Sequence, residues 1–401
     1  MQVIEGSITA PKGFMAAGVC GEIKKKGKKD VAIIYSQEKC VAAGVFTTNV
    51  VRAACVDISK AHLADGVAQA IVANSGNANA CTGEQGEKDT IAMATLTAEL
   101  LGIKPQDVVV ASTGVIGVNM PMDKVEAGIK EAVANLSVDG ADCAAEAIMT
   151  TDTEPKQIAV EVEIQGKPVR IGAIAKGSGM IHPNMATMLA FITTDVNISN
   201  KCLEKLLKES VDVSYNMISV DRDTSTNDMA IVLANGLAGN ELIDDDNSHE
   251  YQVLKEAFVF VNTYLAKLIA RDGEGATRLI EVRIKNADDY NTARVMARSI
   301  VSSNLTKAAV FGEDANWGRI LAAAGYSGAL FDPNKVDVYL GTVKMAANGV
   351  GLDFDEEQAQ EALKQETVLI TVDLKAGSYE AIAWGCDLSY DYVRINASYR
   401  T

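Results

Sequence analysis

The chain has 401 residues, of which 48% are apolar and 5% aromatic, and its formal net charge is −16. This length exceeds one ordinary domain, so two domains or two halves are expected. The negative charge disfavours nucleic acids and anionic membranes as partners, because phosphate groups attract surfaces rich in Lys and Arg. The composition therefore favours a protein that acts on small molecules.

Seven cysteines are scattered without a Cys-x-x-Cys pair, which favours free thiols in a reducing compartment over disulfides or a zinc site. No basic region followed by an apolar run opens the sequence, and no uncharged apolar stretch is long enough to span a membrane, so we expect a cytoplasmic protein. Three histidines are present. His182 is near Thr187, but a turn residue before a proline is more often structural, so a base other than histidine is favoured. We expect neither a cofactor nor a metal.

The first half of the chain alternates strands and helices. Polar loops follow two of the buried strands, at Asn74–Asn79 and at Ser112–Gly117. The periodicity predicts strands at 31–36, 40–47, 68–74 and 106–111, helices at 84–101, 121–136 and 142–150, and a hairpin with strands 158–164 and 169–175. That hairpin leads the chain directly to Lys176.

The central stretch 176–195 runs from a glycine-rich loop through Pro183 into an apolar strand predicted at 187–196. Thr187 begins this strand, and Ala186 before it is small. If Thr187 cleaved the Ala186–Thr187 peptide bond, it would carry a free amine beside its hydroxyl, which is the base and nucleophile pair of N-terminal threonine catalysis. A β-branched residue that merely starts a strand is the alternative.

The second half of the chain also contains both predicted helices and predicted strands. Ser199 caps a helix, and acidic residues at 221, 223 and 228 form a loop that we interpret as capping and hydrogen bonding, because the spacing fails the EF-hand pattern. Further predicted strands cover 229–234, 279–284, 336–340, 368–374, 380–385 and 391–396, and helices cover 250–271, 291–303, 316–324 and 355–366. The hairpins and adjacent strands predict an α+β fold with largely antiparallel strands.

Three further motifs suggest a site. Thr113 and Gly114 follow a buried strand and could supply an oxyanion hole, or they could form an ordinary turn. Lys176 could bind a carboxylate, or it could be a solvated lysine. Glu274 lies between two glycines and could meet a cationic amine, or it could belong to a helix C-terminal turn.

Taken together, these motifs resemble the bifunctional ornithine acetyltransferase / glutamate N-acetyltransferase family of arginine biosynthesis. The segment Lys176–Ala190 is similar to the family's processing site. Other similar segments follow the same order along the chain: 112–117, 149–153, 223–228, 273–277, 314–319 and 395–401. Arg222 departs from the pattern, since glycine is expected at that position.

The resemblance implies a layered α/β/β/α sandwich that processes itself into an α chain (1–186) and a β chain (187–401), assembled as α2β2. Thr187 would be the nucleophile, and Thr113 and Gly114 would stabilise the oxyanion. The substrate-binding residues implied are Thr150, Lys176, Thr187, Glu274, Asn396 and Thr401.

The activity implied is acetyl transfer from N-acetylornithine to glutamate through acetyl-Thr187, with acetyl-CoA as a candidate second donor. We expect Lys176 near the substrate carboxylate and Glu274 near the side-chain amine, on grounds of charge. Two alternatives remain open: a self-processing N-terminal-nucleophile aminopeptidase or hydrolase, and a non-enzymatic binding module in which Thr187 is structural.

Overall fold

The computed structural model describes residues 1–24, 27–182 and 188–398, which form sixteen strands and eleven α-helices. The strands are β1 (Gln2–Ile4), β2 (Phe14–Val19), β3 (Val31–Phe46), β4 (Val67–Asn77), β5 (Val108–Val115), β6 (Lys156–Ile164), β7 (Lys167–Lys176), β8 (Leu189–Thr194), β9 (Ile218–Ser219), β10 (Met229–Ala234), β11 (Leu279–Ala287), β12 (Asp337–Leu340), β13 (Val343–Ala347), β14 (Val350–Gly351), β15 (Thr367–Asp373) and β16 (Tyr379–Cys386).

The helices alternate with these strands along the chain. They are α1 (Ala54–His62), α2 (Gly83–Leu101), α3 (Met122–Ala134), α4 (Ala141–Ala147), α5 (Asn200–Asp212), α6 (His249–Arg271), α7 (Tyr290–Val301), α8 (Asn304–Phe311), α9 (Trp317–Gly325), α10 (Glu356–Leu363) and α11 (Tyr390–Ala397). Within the described ranges, no helix combines the length and the apolar character needed to cross a membrane.

Contacts divide the described residues into two compact units. Unit 1 takes those of Met1–Gly177, Pro183–Asn216 and Thr224–Leu265, and unit 2 takes Ser178–His182, Met217–Asp223 and the described part of Ala266–Thr401.

Unit 1 is built on a nine-stranded sheet in the order β1-β6-β7-β8-β10-β3-β4-β5, with β2 paired to β3. Most neighbours are antiparallel, and β8/β10 and β4/β5 are parallel. Val108, Val109 and Val110 of β5 are fully buried, as expected for a continuous apolar strand inside a sheet. Helices α1 to α4 contribute side chains to the same apolar core as β2 to β5.

The β6/β7 hairpin forms as predicted and positions Lys176. Residues at alternating positions of β6, from Lys156 to Ile164, are buried. Gln165 and Gly166 both have positive φ angles, of 53° and 70°, which is the turn geometry that matches the twist of a tight antiparallel hairpin. The pairing runs without a register shift from Ile164↔Lys167 to Lys156↔Ala175.

Unit 2 contains a seven-stranded sheet in the order β14-β13-β12-β15-β11-β16-β9. Helix α7 packs on β11 and β16, and α9 and α10 pack on β12. Two of its pairs, β11/β15 and β16/β9, are parallel, and the others are antiparallel.

The predicted α+β class with largely antiparallel strands is confirmed among the described residues. Two strand predictions were wrong. The segment 391–396 is helical, not a strand, and 31–36 and 40–47 belong to one strand, β3, that carries a register shift between Tyr35 and Cys40. The helix predicted at 291–303 corresponds to α7, Tyr290–Val301. The stacking order of the layers and the division into two processed chains stay predictions.

Candidate active site

Thr113 and Gly114 lie within β5, not after it as the sequence suggested. The strand continues because β4 runs beside it to Asn77, and Gly76 pairs with Gly114. Gly114 has φ +136°, and a Cβ there would lie 2.3 Å from the backbone carbon of Gly76. Only glycine fits this backbone approach, so the residue that follows Thr113 adopts a conformation that other residues would not tolerate.

Thr150 and Lys176 are in contact. The Lys176 Nζ donates a hydrogen bond to the Thr150 Oγ1 over 2.8 Å. Lys176 is 7% exposed and stands at the end of β7. The structure thus brings together two predicted substrate-binding residues that are separated by 26 positions.

Asp152, which sequence reasoning missed, holds this group in place. One carboxylate oxygen accepts from Lys156 Nζ over 2.8 Å and from Gly177 N over 2.7 Å. The other accepts from Thr150 N over 3.0 Å and lies 3.8 Å from Lys176 Nζ. Burial alone would raise the pKa of Asp152, but the charges of Lys176 and Lys156 and these hydrogen bonds lower it well below its usual range.

Glu274 and Asn396 form a second group. The carboxylate of Glu274 is buried and accepts a hydrogen bond from Asn396 Nδ2 over 2.7 Å. Its backbone N–H donates to Ser178 O over 3.0 Å. A Cβ at Gly179 would lie 2.4 Å from the Glu274 carboxyl, so the glycine of the central stretch leaves room for the acid. Helix α11 delivers Asn396 to this contact.

Tyr392 and Asp221 border this second group and were not singled out from the sequence as site residues. Burial raises the pKa of the Tyr392 phenol, and the charges of Asp221, Asp223 and Glu274 raise it further. Asp221 accepts hydrogen bonds from the backbone N–H groups of Met180 and Ile181 over 2.6 and 2.9 Å. The interpretation of Asp221 as a hydrogen-bonding loop residue is confirmed.

The surroundings of His182 and the backbone of Arg222 are consistent with structural roles for both residues. His182 Nδ1 lies 3.0 Å from Ser219 Oγ. Burial lowers the pKa of His182 to about 4, and the charges of Arg298 and Arg222 act in the same direction. Arg222 has φ +72°, a conformation that glycine adopts without strain, which gives a physical reason for expecting glycine there.

Thr187, the predicted nucleophile, lies outside the described residues, as do Ala186 and Thr401. Their roles stay predictions. The described chain resumes at Met188, whose carbonyl accepts a hydrogen bond from Met229 N over 2.9 Å. Asp228 therefore stands where parallel strands β8 and β10 begin. Burial raises the pKa of its carboxyl well above the usual value.

Metal ligation has no support in the described part of the chain, where no three His, Cys, Asp or Glu side chains are grouped to hold an ion. All seven cysteines carry free thiols. The described site residues offer hydroxyl groups, ammonium groups and buried carboxyl groups.

A model of the ArgJ family matches residues 15–401. The chain belongs to the ArgJ family. It is 59% identical over 403 residues to the arginine biosynthesis bifunctional protein ArgJ of Symbiobacterium thermophilum, and 55% identical over 405 residues to that of Caldanaerobacter subterraneus subsp. tengcongensis, with each alignment covering 100% of both chains.

A solved structure of an ArgJ protein is also similar to this chain. The arginine biosynthesis bifunctional protein ArgJ of Bacillus halodurans is 44% identical, with a TM-score of 0.50, and the match covers 52% of this chain and 97% of the solved one.

Membership of the ArgJ family confirms the recognition made from the motifs. The protein is an acetyltransferase of arginine biosynthesis, and the prediction that it is an enzyme is confirmed. The alternative of a non-enzymatic binding module was wrong.

Proposed function

We propose that this ArgJ protein transfers the acetyl group of N2-acetylornithine to glutamate through an acetyl-Thr187 intermediate, after cleaving itself between Ala186 and Thr187. The observation that carries the proposal is the pairing of predicted substrate-binding residues. Lys176 contacts Thr150, and Glu274 contacts Asn396. Within each pair, the two residues are neighbours in space, although they are distant in sequence.

The charges of these groups suit the donor substrate. N-acetylornithine carries a carboxylate and a side-chain ammonium. We assign the carboxylate to Lys176, which is buried and oriented by Thr150 and Asp152. We assign the ammonium to Glu274, whose carboxylate is buried and aligned by Asn396. Opposite charges in a partly desolvated site favour binding more strongly than they do in water.

The chemistry proceeds in two half-reactions. The free amine of Thr187 accepts the proton of its own hydroxyl, and the oxygen attacks the acetyl carbonyl while Thr113 and Gly114 stabilise the oxyanion. The C–N bond breaks, ornithine leaves with the proton on its amine, and Thr187 keeps the acetyl group as an ester. The amine of glutamate then attacks this ester, which yields N-acetylglutamate and restores the hydroxyl.

Self-cleavage is supported by the length of a relative. The solved Bacillus halodurans chain is matched over 97% of its length yet spans 52% of this chain. Residues 187–401 make up slightly more than half of the sequence. A separate chain of that size is what processing before Thr187 would produce.

Acetyl-CoA is proposed as a second acetyl donor to glutamate. The relatives from Symbiobacterium and Caldanaerobacter are both named bifunctional, and a thioester can acylate the same threonine. The reaction then needs no bound cofactor. We further propose that the two processed chains assemble as α2β2 in the cytoplasm.

An acceptor assay tests the proposal. Purified protein is mixed with N-acetylornithine with and without glutamate, and both N-acetylglutamate and acetate are measured. The proposal predicts N-acetylglutamate and ornithine in equal amounts, with little acetate, because glutamate outcompetes water as acceptor. Acetate that forms at the same rate with and without glutamate would instead identify the self-processing hydrolase.

A further inference from the structure

Lys24 lies in unit 1 between Gly114 and the Thr150–Lys176 pair, although no motif of the sequence marks it. Its side chain passes over Gly76, where an added Cβ would come within 2.8 Å of the Lys24 Cγ. Gly76 is the strand partner of Gly114. The aliphatic part of Lys24 therefore covers the backbone that carries the proposed oxyanion site.

The ammonium group of Lys24 lies next to the segment that carries Thr150, a predicted substrate-binding residue. Its Nζ donates to the carbonyl of Met149 over 2.5 Å and to that of Lys29 over 3.0 Å. Met149 directly precedes Thr150, the hydrogen-bond partner of Lys176. Lys24 thus spans the distance between Gly114 and the Thr150–Lys176 pair.

The local charge is positive. Lys24, Lys156 and Lys176 bring three ammonium groups, and Asp30 and Asp152 bring two carboxylates. Asp152 is already paired with Lys156, and Asp30 accepts three backbone N–H groups, those of residues 21, 23 and 24. Burial lowers the pKa of Lys24 to about 8, and the charge of Lys176 contributes in the same direction.

An ammonium group has three N–H donors, and the described residues provide acceptors for two of those of Lys24. A half-buried cation that lacks a full set of partners is destabilised by the loss of water around it. A bound carboxylate would supply both the missing acceptor and the missing negative charge.

We propose that Lys24 is a substrate-binding residue whose ammonium group, together with that of Lys176, receives the α-carboxylate of the amino-acid substrates. This inference rests on the proposed function. Because N-acetylornithine and glutamate both carry an α-carboxylate, one two-lysine site serves donor and acceptor. Substrates in which that carboxylate is replaced by a carboxamide should then be poor.

The test is a thermodynamic cycle in which the enzyme is changed (wild type to Lys24→Met) and the substrate is changed (carboxylate to carboxamide), separately and together. Wild type and variant are assayed with N-acetylornithine and with its α-carboxamide, at saturating glutamate. For wild type, the carboxamide should lower kcat/KM by about 100-fold, since two charged contacts are weakened. For Lys24→Met, kcat/KM on N-acetylornithine should fall about tenfold, and the further loss on the carboxamide should shrink by about the same factor.

Lys28→Met is the matched control, because Lys28 is exposed in the same basic segment and should leave both substrates unaffected. Equal losses for the carboxamide in wild type and Lys24→Met would overturn the inference, since a merely structural lysine lowers activity on both substrates alike. Lys24→Gln, which keeps a hydrogen-bond donor for Met149, replaces Lys24→Met if that variant fails to fold. A wild type that makes no N-acetylglutamate would instead contradict the proposed function.

Discussion

The Thr113 hydroxyl is the side-chain donor assigned to the oxyanion, and it can be removed without changing the shape of the site. Thr113→Val should lower kcat by about 10²–10³-fold, the effect of losing one oxyanion donor, and should leave KM for N-acetylornithine nearly unchanged. Steady-state kinetics measure both constants. Thr367→Val, at an exposed strand end, is the control. An unchanged kcat would remove Thr113 from the mechanism.

The role proposed for Glu274 distinguishes the two substrates by charge. Glu274→Gln should raise KM for N-acetylornithine about tenfold or more, because a charged contact to the ammonium becomes a neutral one. KM for glutamate, which has no side-chain ammonium, should change far less. Exposed Glu256→Gln controls for the loss of one charge. If use of N-acetylornithine is unaffected by Glu274→Gln, the assignment of the ammonium to Glu274 is wrong.

Asp152 should contribute to stability as well as to the site. Asp152→Asn leaves Lys156 and Lys176 buried without their counter-charge, which should cost about 3–5 kcal/mol in the free energy of unfolding. The folded-state pKa of Asp152 lies below its ordinary value. Its contribution is therefore present above the unfolded pKa of about 3.9 and is lost as the pH falls toward the folded pKa.

Urea unfolding at pH 7 and at lower pH measures this contribution. The difference between wild type and Asp152→Asn should be largest at pH 7 and should shrink below about pH 4. Exposed Asp139→Asn should show no comparable loss. A constant difference across the whole pH range would indicate a packing effect and not a lost charge.

At the scale of elements, helix α11 shows why the local sequence pattern wrongly predicted a strand at 391–396. Val393 and Ile395 alternate with polar residues, as in a strand. Val393 is nevertheless 65% exposed, and an ion pair between Arg394 and Asp391 at 3.1 Å supports one helical turn. A helix rises about 1.5 Å per residue, against about 3.3 Å for a strand, which keeps Asn396 close to Glu274.

Strands β7 and β8 lie on opposite sides of the proposed cleavage point and pair with each other. Their antiparallel register runs from Ile171↔Thr194 to Lys176↔Leu189, and both strands are buried in one sheet. Cleavage at 186/187 should therefore leave the two chains associated, because separating them would expose that sheet.

Size-exclusion chromatography in native buffer should give a single species that contains both fragments, and denaturing electrophoresis should then resolve them. Fragments that elute separately in native buffer would contradict the role assigned to the β7/β8 pairing.

At the scale of the whole molecule, the sequence predicted the α+β class and most long elements, because helix and strand periodicities are local properties. It could not predict which segments share a unit. Unit 1 combines Met1–Gly177 with later segments that follow residue 186, so each compact unit takes residues from both proposed chains. Such long-range pairing leaves no local signal.

The sequence was also unable to predict those contacts of the candidate site that depend on long-range pairing. Thr150, Lys176, Glu274 and Asn396 were reached through motifs, and the fold pairs Lys176 with Thr150 and Glu274 with Asn396. Their substrate-binding roles stay predictions. Asp152 stood in a recognised motif but received no role, because its function depends on partners at 156 and 176. Lys24 looked like one of several lysines in a basic stretch, and only the fold places it beside Gly76.

The measurement that tests the central claim most directly is the intact mass, under denaturing conditions, of fresh protein quenched after mixing with N-acetylornithine alone. The account predicts two fragments, 1–186 and 187–401, with one acetyl group added to the second fragment and lost again when glutamate is supplied. A single chain of 401 residues, or an acetyl group on the first fragment, would contradict the threonine mechanism.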